Sequence, residues 1–336
     1  MRNKINIIFT SAGRRVELLR SFKNAYNKLG LEGSIIATDI DPLAPTLQLA
    51  DRSYIVPRSN SKDFILKLAE IIKNEQADLI FPLIDPDIPI LAESRNILEA
   101  EGARVVVISK EATKTTADKW LTWKFFRNFG LPTPCSWKAE ETRDLNFDYP
   151  VFIKPRFGSA GKKTFKVCNE KELSFFIEYV PKPIIQEYLP GPEITNDVIC
   201  DFENQVLAVV SRKRIEVRWG EVAKGITIYN KKIVSSCLKI AKKLRAIGPV
   251  TVQCILKDGI PYFTEINARF GGGVPLGIAA GVDSPRWLIA NAAGLDVEIP
   301  PVGNYQVGMR LTRFDDSFFL SENDIRKIKH TFFYKT

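Results

Sequence analysis

The sequence predicts two architectures in one chain, an α/β fold first and an α+β fold after it. Over the first 110 residues, short apolar segments of strand composition alternate with longer amphipathic segments. Such alternation is typical of an open parallel sheet, wound right-handed, with helices on both faces. Beyond residue 137 the predicted strands follow one another more closely. With 336 residues, the chain is long enough for two or three domains.

The N-terminal elements are predicted from apolar periodicity and from the position of glycine. The segment "INIIFT" at 5–10 has strand composition, and "RRVELLRSFKNAYNKLG" at 14–30 has the period of an amphipathic helix that ends at Gly30. The other elements predicted in this half are strands at 33–40, 53–57, 79–84 and 104–109 and helices at 61–75 and 88–101. Together they define a first domain at 1–111.

A predicted helix at 116–130, stopped by Gly130 and "LPTP", connects the two architectures. The elements predicted after it are strands at 149–155, 163–167 and 183–189, a helix at 170–180, a strand-rich stretch at 194–230, a helix at 231–246 and a hairpin at 250–267. We therefore divide this part into a connecting segment at 112–136, a small subdomain at 137–188 and a C-terminal subdomain at 189–336.

Composition argues against several kinds of site. The five cysteines are scattered without a C-x-x-C pair, so neither a disulfide framework nor zinc binding is indicated. His330 is the single histidine, which disfavours a histidine-based triad and a multi-histidine metal site. Acid–base chemistry would fall to carboxylates, lysines or the substrate itself.

The net charge of +9, from 48 basic and 39 acidic residues, has two interpretations. It describes either a lysine-rich solvated surface or a site that attracts phosphate-bearing ligands. We expect no nucleic-acid binding, because the basic residues are dispersed and no recognition motif is present. No apolar run approaches the roughly 20 residues that cross a bilayer, and the first ten residues are too short for a signal sequence. A cytoplasmic protein without membrane contact is expected.

The segment "VFIKPRFGSAGKK" at 151–163 combines a buried lysine with a glycine-rich loop. Glycines such as Gly158 and Gly161 let backbone N–H groups approach phosphate oxygens, and Lys154 would add a point charge to the same anion. The spacing is not that of a P-loop, and an ordinary hairpin with a solvent lysine is the alternative.

The segment "IIQEYLPGPE" at 184–193 is an apolar strand that runs into a proline–glycine turn. An adenine ring needs a backbone donor and acceptor between apolar walls, and a ribose needs a carboxylate. A strand that enters a hinge, followed by Glu193, supplies both. A linker with a surface glutamate is the alternative.

The segment 252–267 is predicted to be a hairpin that turns at Asp258-Gly259. Its close, "EINAR", places Glu265, Asn267 and Arg269 at alternate positions and therefore on one face. Carboxylate and amide oxygens suit magnesium, which is usually held by one or two protein groups together with substrate phosphates. A two-residue turn would pair Gln253 with Thr264, away from Glu265, whereas a three-residue turn would pair it with Glu265.

Four features in this order resemble the ATP-grasp superfamily: Asp118-Lys119 opening a helix, Lys154 before a glycine-rich loop, "QEYLPGPE", and the "EINAR" strand end. The branch that they resemble is that of the carbamoyl-phosphate-synthase-like, carboxylate–amine ligase proteins. The resemblance covers nearly the whole chain. It implies a Rossmann-like, pre-ATP-grasp domain followed by a two-part ATP-grasp fold.

The resemblance also implies roles for individual residues. ATP would be bound by Lys119, Lys154, Gly158, Ser159, Gly161, Gln186, Glu187, Tyr188, Leu189 and Glu193. The metal ligands would be Gln253, Glu265 and Asn267. Arg269 would lie beside the transferring phosphoryl group and act in catalysis with Lys154.

The chemistry implied by the resemblance is carboxylate activation. ATP and Mg²⁺ (or Mn²⁺), with two metal ions, would convert a small-molecule carboxylate into an acyl phosphate, release ADP and allow capture by an amine or ammonia. The small subdomain would close over ATP and exclude water. Homodimers are common in the superfamily, and the sequence neither requires nor excludes one.

Candidates for binding the substrates come from two places. Arg218, Glu221 and Lys224 lie where the resemblance puts the wall of the acceptor cavity, with a surface hairpin as the alternative. Polar residues also follow the N-terminal strands, where open sheets bind ligands; these are Arg14, Arg15, Asp39, Asp41, Asp85 and Asp87. Helix caps and turns are the alternative explanation for the aspartates.

Three other functions remain open from the sequence. An NAD-dependent oxidoreductase would use Asp39 on a ribose, but "SAGRR" lacks the G-x-G-x-x-G spacing. A non-catalytic nucleotide-binding regulator would be expected to lack the metal ligands. An enzyme of the same fold could also release the acyl or carbamoyl phosphate as its product, without an amine.

Overall fold

The computed structural model describes residues 2–142, 146–158, 161–218 and 220–330. In the N-terminal unit, five strands pair in parallel in the order β3-β2-β1-β4-β5. The strands are β1 (Ile7–Thr10), β2 (Ile35–Asp39), β3 (Arg52–Ile55), β4 (Leu79–Pro82) and β5 (Arg104–Val105). The helices are α1 (Val16–Leu29), α2 (Pro45–Leu49), α3 (Phe64–Glu75), α4 (Asp87–Glu93) and α5 (Arg95–Ala100). The predicted open parallel sheet is confirmed.

Two details of this unit differ from the prediction. The helix predicted at 88–101 is two helices, because Ser94 leaves helical geometry with φ −96° and ψ 12°. Helix α2 was not predicted, because five residues that begin with proline are too short to show a helical period. The predicted end of α1 is confirmed, since Gly30 adopts the left-handed conformation at φ 62°.

Helices α6 (Lys110–Ala117) and α7 (Lys119–Asn128) follow, where the sequence predicted one helix at 116–130. The break is at Asp118, whose backbone is extended and whose side chain caps α7 by accepting hydrogen bonds from the N–H groups of Trp120 and Leu121. Lys119 therefore begins α7, as the "DK" motif predicted.

A small antiparallel sheet comes next, in the order β6-β9-β7-β8. Its strands are β6 (Ser136–Lys138), β7 (Val151–Pro155), β8 (Phe165–Val167) and β9 (Pro183–Glu187), and helix α8 (Glu170–Tyr179) covers it. Val151, Ile153, Val167, Leu173 and Ile185 form a separate small core. The small sheet therefore packs as a unit of its own.

The third sheet is antiparallel and six-stranded, in the order β14-β13-β10-β11-β12-β15. Its strands are β10 (Glu193–Cys200), β11 (Val206–Arg218), β12 (Glu221–Ile228), β13 (Pro249–Lys257), β14 (Ile260–Asn267) and β15 (Arg310–Thr312). Helix α9 (Lys231–Leu244) packs on it, and α10 (Val274–Ala279) and α11 (Ser284–Ala293) follow β14. Ile233, Cys237 and Ile240 line the buried side of α9.

The chain then returns to the N-terminal unit. After α12 (Glu322–Arg326), strand β16 (Lys329–His330) pairs in parallel with β3 at the edge of the first sheet. This return was not predicted, because a two-residue strand carries no sequence period. Among the described residues, no helix is long and apolar enough to cross a membrane.

Candidate active site

The hairpin β13–β14 turns at Asp258 and Gly259, which have φ values of 51° and 73°. The predicted turn at Asp258-Gly259 is confirmed, and of the two loop lengths left open by the sequence the structure has the two-residue one. The inference that such a turn pairs Gln253 with Thr264 is wrong. Cys254 pairs with Phe263, but Gln253 lies opposite Glu265, because a β-bulge shifts the register between Cys254 and Gln253. Thr264 is the extra residue, and the bulge brings Gln253 back beside the carboxylate.

The sequence contained a signal for this bulge. Phe263 and Ile266 are both buried, although they are three residues apart, and a regular strand points such residues to opposite faces. One extra residue between them reconciles the two. The bulge leaves Glu265 and Asn267 on the half-buried side of the strand.

Gln253, Glu265 and Asn267 offer hard oxygen atoms of the kind that magnesium prefers. The Nε2 of Gln253 donates to Glu193 Oε1 at 3.1 Å, which engages the amide nitrogen and leaves the carbonyl oxygen of Gln253 as its donor atom for a metal. The other partner of Glu193 is Arg214, whose Nη1 is 2.6 Å from the same oxygen. The donor set therefore fits a magnesium ion completed by phosphate oxygens and water.

Lys154 is almost completely buried in the small sheet, with 7% of its surface exposed. Its Nζ donates to Gln186 Oε1 at 3.0 Å, and Gln186 in turn donates to Ser136 Oγ at 2.8 Å. Burial lowers the pKa of Lys154 to about 8, and Glu265 and Glu193 partly oppose this by attraction. These hydrogen bonds fix the ammonium group of Lys154 within the small sheet.

The glycine loop is attached to the start of α7. Arg156 makes a bidentate ion pair with Asp118, at 2.8 and 2.6 Å, and Lys119 Nζ donates to the carbonyl oxygen of Gly158 at 2.6 Å. Gly158 and Gly161 have φ values of 105° and 65°, which only glycine adopts readily. Ser159 lies outside the described residues.

A cleft of about 230 Å³ lies between these elements. The residues that line it include Asp85, Lys119, Phe157, Gly158, Glu265 and Asn267. It therefore joins the strand ends of the N-terminal unit, the glycine loop and the hairpin.

The predicted adenine-binding segment begins at the end of β9, where Gln186 contacts Lys154. The N–H of Glu187 donates to Cys135 O at 2.8 Å, so a base would have to use the carbonyl oxygen of Glu187. Leu189 is buried, and Lys166 lies over the ring of Tyr188 at 4.4 Å. Gly191 is required by contact, because a Cβ there would lie 2.4 Å from the carbonyl oxygen of Leu256.

A second group of charges lies where the N-terminal strands meet the large sheet. We name it the arginine cluster; its members are Arg15, Asp85, Glu221, Arg269 and Arg313. Arg269 Nη2 is 2.6 Å from Asp85 Oδ2, and Glu221 is 2.7 Å from Arg313 Nη1 and 3.4 Å from Arg15 Nη1. Asp85 and Glu221, predicted from different parts of the sequence, thus belong to one cluster.

Glu221 and Arg15 are both ionised at neutral pH. Burial acts to raise the pKa of Glu221, but Arg15 and Arg313 outweigh it and hold the pKa below its usual value. Burial lowers the pKa of Arg15 to about 10, which still leaves it charged. No sequence pattern pointed to Arg313, which enters the cluster because β15 pairs with β12.

The three glycines after "EINAR" are explained by the same packing. A Cβ at Gly272 would lie 2.6 Å from Arg15 Nη1, and one at Gly273 would lie 2.1 Å from Arg212 Nη1. Arg212 is fully buried in a bidentate ion pair with Asp197, at 2.6 and 2.9 Å. The glycines therefore let the loop pass directly over buried charges.

The other substrate candidates lie elsewhere. Arg218 and Lys224 are exposed and both bind Glu216, at 2.6 and 2.7 Å, as the surface-hairpin alternative predicted. Asp39 accepts hydrogen bonds from the N–H groups of Gly13 and Asp41 and so stabilises turns. Asp87 accepts from Thr10 Oγ1 at 2.7 Å, and burial raises its pKa.

Two family models match the chain. A PylC-like N-terminal domain matches residues 7–106, and an ATP-grasp domain matches residues 116–273. The chain contains an ATP-grasp domain, preceded by a PylC-like N-terminal domain. The resemblance and the two-part fold class predicted from the four motifs are therefore confirmed.

Solved structures of three enzymes share this fold at low identity. The biotin carboxylase domain of Hydrogenobacter thermophilus 2-oxoglutarate carboxylase, in complex with MgADP, ADP and bicarbonate, is 20% identical over 87% of this chain and 70% of its own (TM-score 0.67). L-amino acid ligase from Bacillus licheniformis is 19% identical over 87% and 75% (TM-score 0.66). N5-carboxyaminoimidazole synthetase from Staphylococcus aureus, complexed with ADP, is 17% identical over 90% and 80% (TM-score 0.69).

Proposed function

We propose that this ATP-grasp protein is an ATP- and Mg²⁺-dependent ligase that activates a carboxylate as an acyl phosphate and joins it to an amine. One observation carries the proposal: a single cleft is lined by Lys119 and Gly158 on one side and by Glu265 and Asn267 of the hairpin on the other. A positive charge and oxygen ligands in one place suit a magnesium-bound polyphosphate.

In this proposal the nucleotide lies between the two antiparallel sheets. Lys119, Lys154 and the N–H groups of the glycine loop hold the phosphates, the segment 186–189 lines the adenine, and Glu193 binds the ribose. The ion pair of Glu193 with Arg214 orients the carboxylate for that role. Gln253, Glu265 and Asn267 hold the metal, which neutralises phosphate charge.

The reaction follows from these positions. A substrate carboxylate oxygen attacks the γ-phosphorus, the bond to the β-phosphate oxygen breaks, and ADP leaves. Arg269 stabilises charge on the phosphoryl group in transfer, and no protein base is needed because a carboxylate is ionised at neutral pH. The amine then attacks the acyl carbon, loses its extra proton and releases phosphate.

The NAD-dependent alternative is disfavoured by the contacts of Asp39. Both of its carboxylate oxygens accept hydrogen bonds from backbone N–H groups, of Gly13 at 2.7 Å and Asp41 at 3.0 Å. A ribose would have to compete with these bonds.

The proposal is tested by Glu265→Ala. We expect loss of Mg²⁺-dependent ADP release with an unchanged circular dichroism spectrum, because the variant removes the single carboxylate of the metal site. Glu216→Ala, on the exposed side of β11, is the matched control and should keep wild-type turnover. Undiminished turnover in Glu265→Ala would overturn the metal assignment.

The ligase chemistry itself is tested with ¹⁸O in the carboxylate of candidate acids. We expect one ¹⁸O atom to be transferred to inorganic phosphate in each turnover that consumes an amine. ADP release without an amine would instead favour an enzyme that makes an acyl phosphate as its product.

A further inference from the structure

Asp118 and Arg156 form an ion pair at which two parts of the chain meet, and the proposed chemistry gives neither residue a role. Asp118 lies between α6 and α7, whereas Arg156 follows β7 of the small sheet. Arg156 Nε is 2.8 Å from Asp118 Oδ1, and Arg156 Nη2 is 2.6 Å from Oδ2. Because the side chain of Asp118 is only 7% exposed, water and salt screen this pair less than they screen a surface pair.

Each member of the pair directly precedes residues that line the cleft. Lys119 follows Asp118, and Phe157 and Gly158 follow Arg156. Two hydrogen bonds join the same segments: the N–H of Lys119 donates to the carbonyl oxygen of Arg156 at 3.0 Å, and Lys119 Nζ donates to that of Gly158 at 2.6 Å. The ion pair therefore lies immediately behind the place where Lys119 and Gly158 face the cleft.

Helix α7 is in turn packed against the hairpin that carries the predicted metal ligands. The ring centroid of Phe126, on α7, lies 5.7 Å from that of Phe263, on β14. The N–H of Phe263 donates to the carbonyl oxygen of Pro132 at 2.8 Å, and the carbonyl oxygen of Phe263 accepts from Thr133 Oγ1 at 2.8 Å. Glu265 lies two residues further along the same strand. Contacts thus run from the metal side of the cleft through α7 and the ion pair to the glycine loop.

Helix capping alone does not require this ion pair. The cap uses Oδ1 of Asp118, which accepts from the N–H groups of Trp120 at 2.9 Å and Leu121 at 3.4 Å, and asparagine caps helices about as well as aspartate. The second oxygen, Oδ2, accepts from Arg156. A carboxylate is needed for this bidentate contact, which holds the planar guanidinium in one orientation.

We propose that Asp118 and Arg156 are positioning residues for the phosphates of the nucleotide. The proposal rests on the proposed function, in which Lys119 and the N–H groups of the glycine loop bind these phosphates. The ion pair holds both phosphate-binding groups opposite Glu265 before the nucleotide arrives, so that binding does not have to order them. Asp118 and Arg156 act through Lys119 and Gly158 and do not bind the nucleotide themselves. Adenosine, which has no phosphate, gains nothing from the pair.

The first test uses Asp118→Asn, which removes the charge of the pair and keeps a side chain that can cap α7. Calorimetric titration of the full chain compares MgADP with adenosine. We expect MgADP to bind about tenfold or more weakly than it binds to the wild type, and adenosine affinity to stay within about twofold. A variant that was merely less well folded would lose affinity for both ligands alike.

Glu141→Gln is the matched control, because Glu141 forms an exposed ion pair with Lys138 at 3.1 Å in the same part of the chain. Both affinities should remain those of the wild type. Unchanged MgADP affinity in Asp118→Asn, or equal losses for MgADP and adenosine, would overturn the positioning role. Absence of MgADP binding to the wild type would contradict the proposed function instead.

The second test asks whether the two residues act as a unit. Arg156→Gln should weaken MgADP binding as much as Asp118→Asn does, Arg156→Lys should restore part of the affinity, and the double variant Asp118→Asn/Arg156→Gln should lose no more than either single variant. A much larger loss in Arg156→Gln than in Asp118→Asn would mean that Arg156 binds phosphate directly. That result, or losses that multiply in the double variant, contradicts the proposal.

Discussion

At the scale of single residues, the site depends on side chains whose surroundings change their ordinary chemistry. Lys154 is a lysine held in a buried strand, where burial lowers its pKa to about 8 and Glu265 limits the decrease. Gly272 and Gly273 are required for the opposite reason, because a Cβ at either position would collide with a buried arginine. The sequence marked all these positions as unusual, but the reason lies in neighbours that are distant in the chain.

The low pKa of Lys154 predicts how nucleotide affinity depends on pH. Below about pH 8 the lysine is charged in the free protein and MgADP affinity should be flat; above it, binding must take up a proton. We expect the dissociation constant to rise by up to about tenfold per pH unit there. Isothermal titration in buffers of different ionisation heat measures both effects.

Lys154→Met should bind MgADP weakly and without this pH dependence. Lys171→Met, which changes an exposed lysine of α8, should behave like the wild type.

The lowered pKa of Lys154 also affects folding. Between about pH 8 and the pKa of an unfolded lysine, the unfolded chain binds more protons, so this lysine makes stability rise with pH. An equal pH dependence in Lys154→Met would show that another group is responsible.

At the scale of elements, local sequence signals predicted most turns and caps. Gly30, Asp118 and the Asp258-Gly259 turn behave as their residue types indicate. The bulge at Thr264 was missed, although two buried residues three positions apart were a sign of it. The pairing of Gln253 with Glu265 depends on the bulge and the turn together. The two-residue turn without the bulge would pair Gln253 with Thr264.

The three consecutive glycines at 271–273, before α10, give a prediction at this scale. Gly273→Ala places a Cβ 2.1 Å from Arg212 Nη1 and 2.7 Å from Val222 Cγ1, and Arg212 cannot move away without leaving Asp197. We expect the free energy of unfolding to fall by about 1–3 kcal/mol or more. Urea denaturation followed by fluorescence measures this change.

Gly277 in α10 provides the matched control. A Cβ there meets only Val210 at 3.5 Å, an ordinary contact, and the backbone is helical. Gly277→Ala should therefore be neutral or stabilising by up to about 1 kcal/mol. Equal stability of Gly273→Ala and the wild type would mean that the loop adapts without disturbing the buried ion pair.

At the scale of the whole molecule, an apolar contact holds the N-terminal unit against the rest of the chain beside the arginine cluster. Phe22 and Phe81 of the first unit pack with Phe270, which directly follows Arg269; their ring centroids lie 5.8 and 5.6 Å from that of Phe270. Phe270 therefore packs in the core, and the adjacent Arg269 contributes a charge to the site.

Phe270→Ala should lower the free energy of unfolding by about 3–5 kcal/mol, because it leaves a cavity beside the rings of Phe22 and Phe81. Catalytic turnover should fall as well, since Arg269 is positioned by its neighbour. Phe319→Ala, at a ring that is 94% exposed, is the control and should leave stability unchanged. Denaturation curves and ADP release compare the variants, and a Phe270→Ala protein as stable as the wild type would refute the role of this contact.

The sequence by itself determined the fold class, the order of the units and the four motifs, because strand and helix periods, glycines and caps act over a few neighbouring residues. Only the tertiary structure decided which charges meet. Arg15, Asp85, Glu221 and Arg313 span nearly 300 positions, and their contacts depend on sheet order and on the pairing of β15 with β12. The strand pattern placed Arg15 and Asp85 at one sheet edge, but charge interactions act through space over a few ångströms, so no pattern along the chain could have predicted that Glu221 and Arg313 join them.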